Sequence, residues 1–251
     1  MITIGISLKM YFGHAQTLRW AEAVADMARS HPAVTSGAVE LFVIPTFPSL
    51  VPVHAVLEGT AVLLGAQDLA TEDTGAFTGE VSGAELAEIG VDLVEIGHAE
   101  RRSLFHEDDA TIARKVAAAF RNHLRPLVCV GERHRASGAD ATRDVTAQLD
   151  RALDGQAGAV TVAYEPVWAI GAPEPAPADH IVEVLTGIEA HLGHRSGLDG
   201  SVAIYGGSAG PGLLTRGIGQ IGGLFLGRSA HDPAEVETVL DEALELEVGI
   251  R

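Results

Sequence analysis

The sequence predicts an α/β fold, a single (β/α)8 barrel that covers residues 1–251 as one domain. The chain has 251 residues, and a barrel of this kind usually takes about 250. Its candidate strands are short, rich in Val, Ile and Leu, and not alternating, which is typical of parallel strands buried on both faces. Eight of them give about 31 residues per strand-and-helix unit, close to the usual repeat. A doubly wound open sheet remains the alternative, because periodicity does not distinguish an open sheet from a closed one.

The strands are apolar runs that alternate with helical patterns along the chain. In order, the predicted strands are Ile2–Leu8, Val39–Ile44, Ala61–Gly65, Leu93–Gly97, Arg125–Val130, Val160–Tyr164, Val202–Tyr205 and Leu224–Leu226. The predicted helices are Ala15–Ser30, Ala84–Ile89, Thr111–Asn122, Ala139–Leu153, Ala178–Leu192 and Pro233–Leu246. In the third of these helices, Ile112, Val116 and Phe120 fall on one face. Before the last helix, Asp232 is the predicted N-cap, and Pro233 suits the first turn.

Composition and charge exclude several classes of protein. Hydrophobic residues make up 47% and charged residues 20%, which is typical of a globular chain with a large core. The 17 basic and 34 acidic residues give a net charge of −17, which opposes binding to nucleic acid or to an anionic membrane surface. The single cysteine, Cys129, allows no intrachain disulfide and no cysteine metal cluster, and it lies in an apolar run that predicts burial. No secretory signal or membrane span is expected, so the expected location is the cytoplasm.

Residues with catalytic potential follow several of the predicted strands. Lys9 follows the first strand, His98 the fourth and Glu165 the sixth. The carboxyl ends of barrel strands meet at one face, where active sites of this fold lie. Taken alone, each of these residues more often has a structural role, such as capping a helix or packing against its neighbours. Together they form a set for abstracting a proton beside a carbonyl, with a base, an electrophile and a fixed cation.

The last three strands are followed by glycine-rich loops. They contain Gly171, then Gly206-Gly207-Ser208, then Gly227-Arg228-Ser229. Backbone N–H groups in such loops bind phosphate in this fold. The sequence therefore predicts a small phosphorylated substrate, whose phosphate would supply binding energy to position the reacting carbon.

At these residues the chain resembles the triosephosphate isomerase family, whose fold is the TIM barrel. The segments that carry the resemblance occur in the family's order and span nearly the whole chain. They are KM at 9–10, GAFTGE at 75–80, EIGHAERR at 95–102, CVGE at 129–132, YEPVWAIG at 164–171 and YGGS at 205–208. The occurrence of YEPVWAIG and GHAERR in one chain is highly specific for this family.

The resemblance implies a role for each matching residue. Glu165 would be the base that moves a proton between adjacent carbons. His98 would be the neutral electrophile, held neutral by the helix that starts at 99–100, as is known for triosephosphate isomerase itself. Lys9 would supply positive potential and would be oriented by Glu100.

The resemblance also implies how substrate and partner are held. Residues 166–176 would form a lid, and the backbone N–H groups of Gly171, Ser208, Gly227 and Arg228 would hold the phosphate. The family needs no metal and no organic cofactor. It forms homodimers in which the loop around Thr78 reaches the neighbouring site.

Four departures from the family pattern bear on the substrate. Ser7 stands where the family has Asn, Ala99 stands where it has Ser, Pro173 ends a lid tip that is usually Gly-Thr-Gly, and Arg228 replaces the second Gly of the last loop. The first two changes are expected to remove volume beside the reacting end of the substrate. Arg228 is interpreted in two ways, as an added cation near the phosphate or as an outward side chain whose N–H alone contributes.

The Ser7 and Gly-Arg-Ser-Ala features also resemble the bacterial erythrulose-phosphate isomerases of polyol catabolism, a branch of the family. The favoured reaction converts L-erythrulose 1-phosphate into D-erythrulose 4-phosphate through an enediolate. The alternatives are a triosephosphate isomerase, which interconverts dihydroxyacetone phosphate and D-glyceraldehyde 3-phosphate, and a non-catalytic phosphosugar-binding barrel.

Pro173 predicts an altered lid. Proline has no backbone N–H, so the family's hydrogen bond from this position to Ser208 cannot form. We expect the closed lid to be less favoured or to be held by other contacts, with Tyr205 still available near Ala176. The alternative is that prolines 173, 175 and 177 have little effect on turnover.

Overall fold

The computed structural model describes residues 1–217 and 219–249. Eight strands form a closed barrel, each parallel to its two neighbours. They are β1 (Ile2–Ser7), β2 (Val39–Ile44), β3 (Leu63–Ala66), β4 (Leu93–Ile96), β5 (Arg125–Val130), β6 (Thr161–Tyr164), β7 (Val202–Ala209) and β8 (Gly223–Leu226). The barrel closes where β1 pairs with β8, with Ile6 opposite Leu226. The predicted (β/α)8 barrel is confirmed, and the open-sheet alternative is wrong.

Helices separate the strands and surround the barrel. They are α1 (His14–Ser30), α2 (Pro32–Thr35), α3 (Leu50–Leu57), α4 (Gly83–Glu88), α5 (Ala99–Leu104), α6 (Asp109–Arg121), α7 (Gly138–Ala152), α8 (Ala178–Gly193), α9 (Leu213–Arg216) and α10 (Pro233–Gly249). Each of the six helices predicted from pattern is present. The pattern did not predict the short helices α2, α5 and α9. It also missed α3, whose sequence LVPVHAVL is almost entirely apolar and shows no amphipathic period. Pro52 lies in its first turn, where proline is tolerated.

Side-chain caps fix where the helices begin, and so set the lengths of the loops. Asp108 Oδ1 accepts a hydrogen bond from Thr111 N at 2.7 Å at the start of α6. The predicted cap at Asp232 is present, because its Oδ1 accepts from Ala234 N at 3.0 Å. The predicted stripe of α6 packs inward, with Ile112 and Val116 fully buried.

The interior of the barrel is apolar at its centre. The buried side chains that cluster there are Phe42, Ile44, Leu93, Leu127, Cys129, Ala163, Ile204 and Phe225. Gly5 on β1 has no side chain because a Cβ there would overlap the Phe42 ring. Cys129 is buried, as its apolar run predicts.

The inward side chains become polar at the carboxyl ends of the strands. Ser7, Glu95 and Glu165 are buried there, directly above the apolar layer. β7 continues through 206–209 beyond its predicted end, with an irregular register between Tyr205 and Ala209. Such an irregularity changes the direction of the side chains within it, here that of Ser208.

Two kinds of feature are absent from residues 1–217 and 219–249. No helix in that part of the chain is both long enough and apolar enough to cross a membrane. The same residues bring no group of three or more His, Cys, Asp or Glu side chains together as metal ligands.

Candidate active site

A cavity of about 560 Å³ opens at the carboxyl end of the barrel. Eight of the nine residues predicted from the sequence line it: Ser7, Lys9, Glu100, Glu165, Gly171, Ser208, Gly227 and Arg228. The ninth, His98, is buried beside Glu165. The structure therefore brings all nine predicted residues to one place.

Lys9 is held in a demanding backbone conformation. Its φ is 48°, in the left-handed region that side chains other than glycine seldom adopt. Gln67 Nε2 donates to the Lys9 carbonyl at 2.9 Å, and Lys9 Nζ donates to Glu100 Oε1 at 3.0 Å. The predicted orientation of Lys9 by Glu100 is therefore present in the geometry.

The electrostatic surroundings keep Lys9 charged. Burial is the largest influence and lowers its pKa, but the hydrogen bond to Glu100 and the negative charge of Glu165 raise it more. The net effect is a pKa above the ordinary 10.5. A permanent cation thus faces the cavity of a protein whose net charge is −17.

His98 is positioned by the start of α5. Its ring is the N-cap of that helix, and Nδ1 accepts a hydrogen bond from Glu100 N at 3.2 Å. A nitrogen that accepts carries no proton, so the neutral ring carries its proton on Nε2. Nε2 lies 3.5 Å from Glu165 Oε2, and neither atom has a hydrogen-bond partner within the described residues. The geometry thus aims a donor and a carboxylate oxygen at the same region.

Glu165 is buried at the end of β6. Its backbone N donates to Val130 O at 2.8 Å, which fixes the residue to the neighbouring strand. Gly206 makes room for it, because a Cβ there would lie 2.7 Å from Glu165 Cγ. The buried Cys129 thiol also contacts this carboxylate, and its pKa is raised by burial first and then by the charges of Glu165 and Glu95.

The two departures expected to enlarge the substrate site lie in different places. Ser7 lines the main cavity. Ala99 lies instead beside a separate space of about 20 Å³ that also touches Glu165 and Cys129. Both residues therefore border Glu165, Ser7 from the main cavity and Ala99 from the smaller space, and the expected gain in volume beside the substrate stays a prediction.

Residues 166–176, the expected lid, are held by hydrogen bonds at both ends. At the first end, Trp168 Nε1 donates to Glu132 Oε1 at 2.7 Å. At the other, Ala176 N donates to Tyr205 Oη at 2.8 Å, which is the contact expected for Tyr205.

Ser208 holds the middle of the lid in an unexpected way. Its hydroxyl lies within hydrogen-bond distance of two lid carbonyls, Ala169 O at 2.8 Å and Ala172 O at 3.0 Å. A bond from residue 173 is absent, as the proline requires. The single hydroxyl hydrogen of Ser208 is thus shared between two carbonyls of the expected lid, which is one form of the altered contact expected from Pro173.

Arg228 connects the last loop to the lid. Its side chain is exposed, lines the cavity, and places Nη2 3.4 Å from Gly171 O. Glycine suits position 171 because its φ of 70° lies in the left-handed region that other residues seldom adopt. Of the two interpretations of Arg228, the geometry agrees with the one that places its charge at the cavity.

Glu95 belongs to the EIGHAERR segment, but the sequence alone indicates no role for it. It is only 4% exposed, and the period of two along β4 places it on the same interior face as Leu93. Its Oε2 accepts a hydrogen bond from Ser7 Oγ at 2.8 Å. The signal in the sequence is a carboxylate inside the otherwise apolar strand Leu93–Ile96.

The surroundings of Glu95 keep its proton affinity high. Burial is the largest influence on its pKa and raises it. The charge of Glu165 also raises the pKa, whereas a protonated His98, the Ser7 hydrogen bond and Lys9 lower it, and the net value is about 7. Glu95 therefore titrates in the neutral range.

A buried ion cluster supports α5 from outside the cavity. Arg101 pairs with Asp68 at 2.8 Å and with Glu107 at 2.6 Å. Lys115 Nζ bridges the same two carboxylates at 2.5 and 2.6 Å. Since Arg101 belongs to α5, the cluster fixes the helix whose first residues hold His98 and Glu100.

The chain is similar to known proteins along nearly its whole length. A family model described as triosephosphate isomerase matches residues 2–243. A protein of Pectobacterium atrosepticum named L-erythrulose-1-phosphate isomerase is 49% identical over 98% of this chain and 96% of its own. A protein of the same name from Rhizobium etli is 42% identical, over 96% and 91%.

Proteins named for the triose reaction are also similar. A Synechococcus protein named triosephosphate isomerase is 35% identical over 96% of each chain. The crystal structure of triosephosphate isomerase from Bartonella henselae superposes with a TM-score of 0.81, at 28% identity, over 96% of this chain and 98% of the other. The resemblance based on motifs is thus confirmed, and the chain belongs to the triosephosphate isomerase family of sugar-phosphate isomerases.

Proposed function

We propose that the protein converts L-erythrulose 1-phosphate into D-erythrulose 4-phosphate by moving the carbonyl one carbon, with no cofactor. The observation that carries the proposal is the pairing of an intact Lys9, His98 and Glu165 with a small Ser7 on the cavity wall. A four-carbon ketose phosphate has one hydroxymethyl group more than dihydroxyacetone phosphate on the reacting side. The names of the relatives at 49% and 42% identity support the same substrate.

In this mechanism Glu165 removes the proton from C3 of the substrate. The C–H electrons form the C2–C3 double bond, and the carbonyl electrons move to the C2 oxygen. His98 Nε2–H and the Lys9 ammonium stabilise that developing oxyanion. A proton then passes from the C3 oxygen to the C2 oxygen through His98. Glu165 returns its proton to C2, which leaves the new carbonyl at C3.

The phosphate is held at the other side of the cavity. Backbone N–H groups of Gly171, Ser208, Gly227 and Arg228 surround it, and the Arg228 guanidinium adds a positive charge at the lid. These contacts do not change during the reaction. Their binding energy serves to hold the reacting carbons against Glu165.

We also infer a homodimer formed through the loop around Thr78, and a single domain over residues 1–251. Large apolar side chains are exposed on the segments that follow three strands. Met10 follows β1, Phe77 lies in the loop after β3, and Leu104 and Phe105 follow β4. Exposed apolar side chains grouped at one end of a protein mark a surface for association. Sedimentation equilibrium of the purified protein tests the dimer.

Assays on two substrates test the proposed reaction. We expect turnover of L-erythrulose 1-phosphate, with a much lower kcat/KM for D-glyceraldehyde 3-phosphate. The reverse preference identifies a triosephosphate isomerase and refutes the tetrulose proposal. Glu165→Asp separates a catalyst from a binding protein. Moving the carboxylate by about 1 Å should lower kcat about 100-fold, with little change in the Kd of 2-phosphoglycolate.

A further inference from the structure

Glu95 is a buried titratable group that the proposed mechanism does not use. It lies near the end of β4, three residues before His98, and the rest of its strand is apolar. Burying a carboxyl is unfavourable unless hydrogen bonds compensate. Ser7 Oγ is the side-chain partner the structure gives it within the described residues. An apolar residue would serve the fold better, so this carboxyl calls for a functional account.

The two residues of the pair differ in their access to the substrate. Ser7 lines the cavity, whereas Glu95 is behind it and does not. The Ser7 hydroxyl has one hydrogen, and it is donated to Glu95 Oε2 at 2.8 Å. A hydroxyl whose hydrogen is already engaged offers only lone pairs to a further partner. Ser7 therefore presents a hydrogen-bond acceptor to the cavity.

The groups around Glu95 act on its ionisation in opposite directions. Lys9 at the end of β1 favours the carboxylate, as a protonated His98 after β4 would, whereas Glu165 after β6 opposes it. Cys129 on β5 is a buried neutral thiol on the same interior face. With its pKa raised to about 7, chiefly by burial, Glu95 is an acceptor for Ser7 above that pH.

We propose that Glu95 is a positioning residue that fixes the Ser7 hydroxyl as an acceptor for the terminal hydroxyl of a four-carbon ketose phosphate. The pair then selects four-carbon over three-carbon substrates. A triose phosphate has no fourth carbon and so lacks the C4 hydroxymethyl group that would donate to Ser7. The inference rests on the proposed tetrulose-phosphate activity and adds to it the residues that recognise the additional group.

Four variants test the pair. Ser7→Ala removes the acceptor, and Glu95→Leu removes the group that orients it. Either change should lower kcat/KM for L-erythrulose 1-phosphate about tenfold, mainly through KM, as expected for one lost hydrogen bond. The double variant should lose no more than either single variant, because all three lack the same contact. Glu95→Gln keeps a carbonyl that can accept from Ser7, and should retain kcat/KM within about threefold.

Controls separate selectivity from general damage. The Kd of 2-phosphoglycolate, which has no hydroxymethyl group, should change less than about threefold in every variant. Glu40→Gln replaces a carboxylate at the opposite end of the barrel, where Glu40 pairs with Arg125 at 2.9 Å. It should leave kcat/KM unchanged. Ser7→Ala deletes one oxygen atom, so it tests the same contact if Glu95→Leu does not fold.

The outcomes are distinct. A wild-type protein without activity on L-erythrulose 1-phosphate refutes the proposed function and this inference with it. An active wild-type protein whose Ser7→Ala variant keeps its kcat/KM refutes only the inference. Losses that follow the Kd of 2-phosphoglycolate, or that add in the double variant, also overturn it, because they show a general structural effect.

Discussion

The ionisation of Glu95 should make the protein less stable as the pH rises. In the unfolded chain this carboxyl has its ordinary pKa of 4.5, whereas burial raises the pKa to about 7 in the folded state. Between these values the folded state binds more protons than the unfolded state, so the free energy of unfolding falls with increasing pH. The contribution is fully present below 4.5 and is lost as the pH rises through 7.

The difference between the two pKa values sets the size of the effect. At about 1.4 kcal/mol per pH unit, it corresponds to roughly 3 kcal/mol of stability lost between about pH 4.5 and pH 8. Glu95→Gln has nearly the same shape and cannot ionise. Its stability relative to the wild type should therefore increase by about that amount over this pH range.

Urea denaturation at several pH values measures the effect. Wild type, Glu95→Gln and the control Glu40→Gln are compared at about pH 4.5, 6, 7 and 8.5. One protein concentration is used throughout, because the stability of the proposed dimer would depend on concentration. A Glu95→Gln advantage that does not change with pH would show that the carboxyl keeps one protonation state throughout. That result refutes the reasoning. A similar pH-dependent gain in Glu40→Gln assigns the effect to net charge instead.

Three further substitutions test other parts of the site. Arg228→Gln should raise the Kd of 2-phosphoglycolate about three- to tenfold with kcat nearly unchanged, because it removes one exposed charge beside the proposed phosphate site. An unchanged Kd in titration calorimetry would show that Arg228 has no role in phosphate binding. Tyr205→Phe should lower kcat/KM, since Ala176 N loses its acceptor at the lid hinge; equal steady-state kinetics in the variant contradict this. Lys115→Met should cost about 3 kcal/mol of unfolding free energy, because it leaves two buried carboxylates with Arg101 as their remaining cation. A change below about 1 kcal/mol by urea denaturation argues against a structural role for the cluster.

The strand pattern was sufficient to predict the barrel because a strand buried on both faces has an almost purely apolar sequence. The eight apolar runs and the six amphipathic helices were all found. Helix α3 was missed because its apolar residues surround it, so no hydrophobic period exists to detect. The continuation of β7 to Ala209 was missed because glycines at 206 and 207 normally mark a turn.

The site was predicted to the extent that its residues directly follow strands. Lys9, His98 and Glu165 satisfy this rule, and the topology of the barrel alone brings them together. The space that Ala99 borders was not predicted, because sequence spacing does not tell which side of Glu165 a helix residue faces. Glu95 was missed because it lies within a strand, and only the packing shows that its carboxyl reaches Ser7.

The contact between Ser208 and the lid has a consequence for the cost of ordering that loop. Every residue, proline included, has a backbone carbonyl, so a lid held by Ala169 O and Ala172 O places no demand on an N–H at position 173. The prolines at 173, 175 and 177 can then restrict the loop without loss of that bond. A restricted loop loses less conformational entropy when it becomes ordered over the substrate. Less of the phosphate's binding energy is then needed for loop ordering, and more remains for positioning the reacting carbons.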